Sequence, residues 1–320
     1  MSPLFGRQVK PFIDETRGDA EAARLRAAAA SGDWQAVDAA LGATVEPKRR
    51  EFLVDAVPMH TSDLRWVDAW VRERPESAAA RTMWGACAVQ HAWNVRSGAE
   101  PRYVPAERMK AFQDWLTHAD EQLSHAAALA PDDSAPWVAL LWCAIGLGTA
   151  FDETWQRWQN VAQRDPDTEL GALAYATYIG PRWHGAADMM WKFVLDQVGN
   201  EPAGSPLWSL VPHGHFEQWV AERMDRNSQV HASRYFQQPE VQNSITDAYG
   251  KYLGSPARER SYLEPQFREL FAGCFYLMGE RDLLRKELEQ IGPGIQNLPW
   301  NYLGSPLVAF QSVREAAGLK

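Results

Sequence analysis

Four prolines, Pro75, Pro131, Pro166 and Pro202, punctuate the first two thirds of the chain, and helical faces alternate with turn formers between them. The last two intervals are 35 and 36 residues long, room for two short helices and their turns. Two short helices cannot bury their apolar faces on each other alone, so a chain with this period must stack such units side by side. The first interval, 56 residues, holds one unit plus an insertion around the loop formers Ser97-Gly98-Ala99-Glu100-Pro101.

The unit is clearest from Pro131 to Thr168. Asp132, Asp133 and Ser134 supply side-chain oxygens for the orphan N–H groups of a first helical turn, and acidic groups suit the positive end of the helix dipole. Pro136 falls in that turn, where a missing N–H costs nothing. Trp137, Leu140, Leu141, Ala144 and Ile145 follow at spacings of three and four, a helical face that Gly146-Leu147-Gly148 closes. A second helix is expected over Phe151–Arg164, with Trp155, Trp158 and Val161 or Ala162 as its apolar seam. Asp165-Pro166 stops it, because the residue before proline is pushed out of helical geometry.

Trp137 with Leu140, Trp84-Gly85 with Ala88 three residues on, and the closing prolines resemble the tetratricopeptide pattern. The second helices depart from it, lacking its regular Ala and Phe positions. More widely, Ser31-Gly32-Asp33-Trp34, Val67-Asp68-Ala69-Trp70, Ala130-Pro131-Asp132-Asp133, Pro136 to Leu141 and Pro299-Trp300-Asn301-Tyr302 resemble a family of uncharacterised, tetratricopeptide-like bacterial proteins. The resemblance implies an all-α fold of stacked antiparallel helical hairpins, an α-solenoid, and implies no activity.

Several function classes are disfavoured. The net charge is −9, and the only Lys/Arg cluster is Lys48-Arg49-Arg50, read as a solvated first turn, so no nucleic-acid partner is expected. No run of eighteen apolar residues suggests a membrane span, and MSPLFGRQVKPF lacks a signal-peptide core. Cys87, Cys143 and Cys274 lie far apart in apolar helical stretches, the usage of reduced, buried thiols in a cytoplasmic protein. The many tryptophans at helical spacing, such as Trp66 and Trp70, read as core.

The expected organisation is an irregular arm over residues 1–18, with Phe5, Phe12 and Ile13 available to dock. Hairpins follow over 19–201, then an irregular helical region over 202–320 on the same solenoid. In the last region, Pro212 and Gly214 predict a helix from Ser205 to Met224 that is split or kinked. Asp225–Gln238 reads as a polar loop. Glu287 and Glu289, among Arg285 and Lys286, read as a charge-paired surface. A last helix over Leu307–Ala317 would cap the stack.

Chemistry-bearing motifs are sparse. No glycine-rich phosphate loop and no nucleophile elbow is present. His213-Gly214-His215 with Glu217 has metal-ligand residue types at a spacing unsuited to a helix, and neither a metal nor a cofactor is expected. His184 reads as a turn residue. The repeat offers a different inference. First helices of such hairpins line a concave face, and the register places Val89, Gln90, Trp142, Ile145, Tyr175, Tyr178, His213 and Phe216 along it. That stripe (Gln90, Trp142, Tyr175, Tyr178, His213 and Phe216 above all) suits an extended protein segment. C-terminal helices folding back over it would instead make these aromatics core. The leading expectation is a non-catalytic interaction or scaffold module with a protein or peptide partner. The alternatives are an enzyme or small-molecule binder with a pocket near the Pro212 kink, using His184, His213, His215 and Glu217, and a structural subunit of a larger assembly.

Overall fold

Many helices of the chain begin or end where the sequence supplies a group for the exposed backbone. A computed structural model describes residues 10–58, 63–97, 104–225 and 227–319. Phe5 and the Gly98–Pro101 part of the insertion lie outside the described residues. The chain divides into two compact units, Asp19–Asn200 and a second made of Met1–Gly18 with Glu201–Lys320.

In the first unit the Asp19 side chain accepts from Ala22 N and starts α1 (Ala20–Ser31). Gly32, in the left-handed region at φ 83°, ends it, donating to Ala28 O and Ala29 O. Asp33 then caps α2 (Trp34–Ala43), Pro47 opens α3 (Pro47–Ala56), and α4 (Arg65–Glu73) follows. Ser77 caps α5 (Ala78–Arg96), which pairs with the long α6 (Ala106–Leu129). Next come α7 (Ala135–Leu147), α8 (Phe151–Arg164), α9 (Glu169–Tyr178), capped by Thr168, and α10 (Ala187–Val198).

From α5 to α10 each helix packs on the next, and α5, α7 and α9 also pack side by side as one row. Glycine sets the closeness. A Cβ at Gly85 would sit 2.4 Å from Leu123 Cγ, and one at Gly146 would sit 2.2 Å from Leu116 Cδ1 and 2.7 Å from Phe112 Cζ. The core between α5, α6 and α7 is Ala88, Ala92, Leu116, Ala119, Leu123, Leu140 and Cys143. Trp34, Trp66 and Trp70 stack at the other end, with ring centroids 5.9 and 6.4 Å apart.

The second unit is built around α14 (Glu264–Met278), which packs on α11 (Leu210–Met224), α13 (Pro239–Lys251) and α15 (Arg281–Leu288). Phe267, Leu270, Phe271, Cys274 and Phe275 of α14 are buried there. A short α12 (Gln229–Ala232) and α16 (Pro306–Ala316) complete its helices. Residues of the arm form β1 (Phe12–Ile13), which pairs in parallel with β2 (Gly294–Ile295), Phe12 opposite Gly294. The arm is thus part of this unit.

Three expectations are corrected here. Pro212 does not kink its helix. It occupies the first turn of α11, and the break comes earlier, where a 3-10 turn over Pro206–Ser209 leads into Leu210. Asp225–Gln238 is not a plain loop, because α12 and a 3-10 turn over Tyr235–Gln237 bury Ala232, Tyr235 and Phe236. Glu287 is not on a solvated surface. It is 1% exposed and accepts from Tyr249 Oη and Arg268 Nη1, both at 2.6 Å, while Glu289 pairs with Arg285 outside. Among the described residues no helix is long and apolar enough to cross a membrane.

Candidate functional site

The stripe expected along a concave face does not form an exposed surface. Gln90 and Trp142 are half-buried, whereas Val89, Ile145, Tyr175 and Tyr178 are buried. The reason is register. Tyr175 lies on the side of α9 turned toward α8 and α10, its ring stacked 5.6 Å from Trp158 and edge-on to Phe193 at 5.0 Å. Tyr178 donates its hydroxyl proton to the Thr149 carbonyl and packs against Phe151. His213 and Phe216 belong to the other unit and are core there, Phe216 against Trp219, Phe236 and Tyr302.

The row α5–α7–α9 carries instead a segment of its own chain. Helix α3, Pro-Lys-Arg-Arg-Glu-Phe-Leu-Val-Asp-Ala, packs on all three helices. Phe52, Leu53 and Val54 are its buried residues, together with Glu51 and Ala56. The basic triplet of its first turn is not solvated: every cation has a partner. Lys48 Nζ lies 3.9 Å from Glu169 Oε1 at the start of α9. Arg49 pairs with Asp19, the cap of α1, and with Glu21 in its first turn, at 2.8 and 2.7 Å. Arg50 Nε donates to Asp133 Oδ2 at 2.6 Å, just before α7. Asp133 and Glu169 sit where an anion is favoured by the helix dipole, and they double as docking points for cations.

Glu51 is the unusual group. It is 3% exposed, and its Oε2 accepts from Thr168 Oγ1 at 2.6 Å. Ser134 and Thr168 hold the same position in their helices, the residue immediately before α7 and before α9. The Ser134 hydroxyl lies beside the same carboxyl without reaching ordinary hydrogen-bond geometry to Glu51 Oε1, so its pull on the carboxylate is weak. Burial pushes the Glu51 carboxyl up to about 8, against the hydroxyls of Ser134 and Thr168, and the charges of Asp165 and Asp133 push the same way. Glu51 is therefore held as the neutral acid at neutral pH. Only its place between the basic triplet and the apolar Phe52-Leu53-Val54 marks it in the sequence; its partner stands 117 residues away.

Near Pro212, His213 is buried and His215 is held between two side chains. His215 lies between Tyr235 Oη, 2.8 Å from Nδ1, and Ser244 Oγ, 3.1 Å from Nε2. Tyr235 donates to Gln218 Oε1, so Nδ1 carries the His215 proton and Nε2 accepts from Ser244. Burial holds this imidazole neutral, its pKa lowered to about 3. Glu217 accepts from Tyr302 Oη at 3.2 Å. His184 is a turn residue of the first unit, and its Nε2–H donates to the Ile145 carbonyl at 2.8 Å. Among the described residues no three His, Cys, Asp or Glu side chains stand where one metal ion would join them. Cys87, Cys143 and Cys274 are free and buried. No protein-family model matches the chain, and no curated protein matches it.

Proposed function

We propose that the chain is a non-catalytic interaction module of the tetratricopeptide-like type, whose α5–α7–α9 row binds a helical protein segment, with α3 as the built-in occupant. The observation that carries this reading is α3 itself, a short helix lying across three members of the row. Its ties are chemically divided: cations onto Asp133 and Glu169, a neutral carboxyl onto Thr168, and an apolar stripe below. This is the helix-in-groove mode of recognition, in which a few apolar anchors give affinity and end charges set direction. The partner that fits is an amphipathic helix with a basic first turn. It either exchanges with α3 or extends the row beyond it. Three free, buried thiols suit a reducing, cytoplasmic setting.

The test uses a labelled peptide of residues 46–57 and the full chain carrying Phe52→Ala, which loosens α3 by removing a buried ring (about 3–5 kcal/mol). Fluorescence anisotropy should show uptake by the variant, little by the unaltered chain, and none of a peptide with Lys48, Arg49 and Arg50 changed to Glu. A folded variant that takes up no peptide, or takes both equally, refutes the reading. If the variant does not fold, hydrogen exchange on the unaltered chain decides. The α3 amides should exchange by a local opening before those of α5, α7 and α9; exchange of all four together overturns an exchangeable α3.

A further inference from the structure

A cavity of about 730 Å³ opens in the second unit, and none of the groove or histidine candidates lines it. Three pieces of chain wall it: the arm, the stretch 258–269, and the turn 290–294. Four guanidinium groups border it, those of Arg17, Arg258, Arg260 and Arg268.

Two of the four are fixed. Arg17 has a backbone φ of 53°, a left-handed conformation that costs a non-glycine residue about 1–2 kcal/mol. The arm accepts this strain because it is tied down on both sides. Asp14 accepts from Thr16 N, Thr16 Oγ1 and Gly18 N, Gln296 Nε2 donates to the Asp14 carbonyl, and Arg17 Nε donates to Gln266 Oε1 at 3.0 Å. Arg268 is held by Glu264 at 2.8 Å and Glu287 at 2.6 Å. The other two are poised at the mouth. Arg258 reaches Glu264 only at 3.5 Å, and exposed Arg260 makes no ion pair among the described residues.

The nearby carboxyls offset part of this charge. The Asp14 oxygens are taken up by its own turn, Glu264 is shared between Arg258 and Arg268, and Glu287 also pairs with Arg268, so the four guanidiniums still outnumber the carboxylates facing them. Glu269 is fully buried and accepts from Gln296 N and Trp300 Nε1; burial pushes it up to about 8, which removes most of its charge at neutral pH. The result is a positive recess in a chain of net charge −9, a shape that focuses field lines onto small anions.

We propose that this cleft binds a small phosphorylated organic molecule. Its phosphate monoester is held by Arg258 and Arg260 above the fixed arginines, and its carbon body lies against Phe12, Ile291 and Pro293. The guanidinium fork matches oxyanions bidentately, and a tetrahedral dianion has oxygens enough for several forks, where one carboxylate is satisfied by one or two. The volume falls within the range of pockets that enclose a whole organic ligand (about 300–1,000 Å³), well beyond what an inorganic ion fills.

The experiment is calorimetric titration of the full chain at low salt with phenyl phosphate, inorganic phosphate and benzoate, repeated on Arg258→Ala/Arg260→Ala. Both substituted side chains are at the exposed mouth, so the thermal unfolding of the variant should match that of the unaltered chain. Phenyl phosphate should bind, at least about tenfold tighter than either comparison compound, and the double substitution should weaken it at least about tenfold. No binding of phenyl phosphate, or binding that the double substitution leaves unchanged, overturns the site. Inorganic phosphate binding as tightly as phenyl phosphate overturns the organic body. Benzoate binding as tightly overturns the choice of phosphate.

Discussion

Replacing Glu51 with glutamine should stabilise the protein, and by an amount that grows with pH. In the folded chain the carboxyl is pushed up to about 8, against 4.5 for an ordinary glutamate. Between those values the folded state holds a proton that the unfolded state has released. The stability linked to this group is complete below pH 4.5 and is lost as pH rises through 8. Each pH unit is worth about 1.4 kcal/mol, so by pH 7 the loss is on the order of 3 kcal/mol. Glutamine is nearly the same shape, keeps an oxygen for the Thr168 hydroxyl, and has no proton to lose. Urea unfolding at pH 5 and pH 8 measures the difference, followed by tryptophan fluorescence, since twelve of the fifteen tryptophans lie within residues 19–200. The two proteins should be close at pH 5 and separate by a few kcal/mol at pH 8, with the Glu51→Gln variant the more stable. A gap that does not change with pH, or a variant weaker at pH 8, would refute the argument and mean that Glu51 is ionised and held by its hydroxyl neighbours.

His215 works in the opposite sense. Its folded pKa is lowered to about 3 from the ordinary 6.5, so the unfolded state takes up the proton first. Stability should fall as pH drops below 6.5, and His215→Gln should flatten that fall in an acid-unfolding series read by near-ultraviolet circular dichroism. Gly146→Ala puts a methyl group 2.2 Å from Leu116 Cδ1; overpacking of this kind costs about 1–3 kcal/mol, readable as a lower urea midpoint. The three thiols are buried, and burial raises their pKa values and so suppresses the thiolate. A thiol reagent should leave them untouched in the native protein and count three on unfolding.

The helices were legible because their ends are chemical. Asp19, Asp33, Ser77 and Thr168 are capping side chains with turn formers around them, and Phe151–Arg164 falls between an alanine and an Asp-Pro stop. The faces were less legible, and α9 shows why. All ten of its residues are buried, so no polar side remains to orient it, and Tyr175 and Tyr178 can be assigned to either face by spacing alone. The place of α3 was not legible at all. Its sequence gives a basic first turn and an apolar stripe, but nothing local names Asp133, Thr168 and Glu169 as its partners. Glu287 failed for the same reason: its neighbours in sequence are charged, while its partners Tyr249 and Arg268 come from other helices.

The pairing of Phe12–Ile13 with Gly294–Ile295 has a consequence for how the chain comes into being. During synthesis the arm emerges ahead of the helical stack, and its partner strand emerges long after it. The helices α1 to α10 of residues 19–200 are complete well before that and can fold as they leave the ribosome. The arm must wait unpaired until the second strand arrives, and Arg17 acquires its position only then. The arginine cleft is accordingly among the last parts of the molecule to be assembled, and a chain truncated before residue 294 would keep the helical stack and lose the cleft.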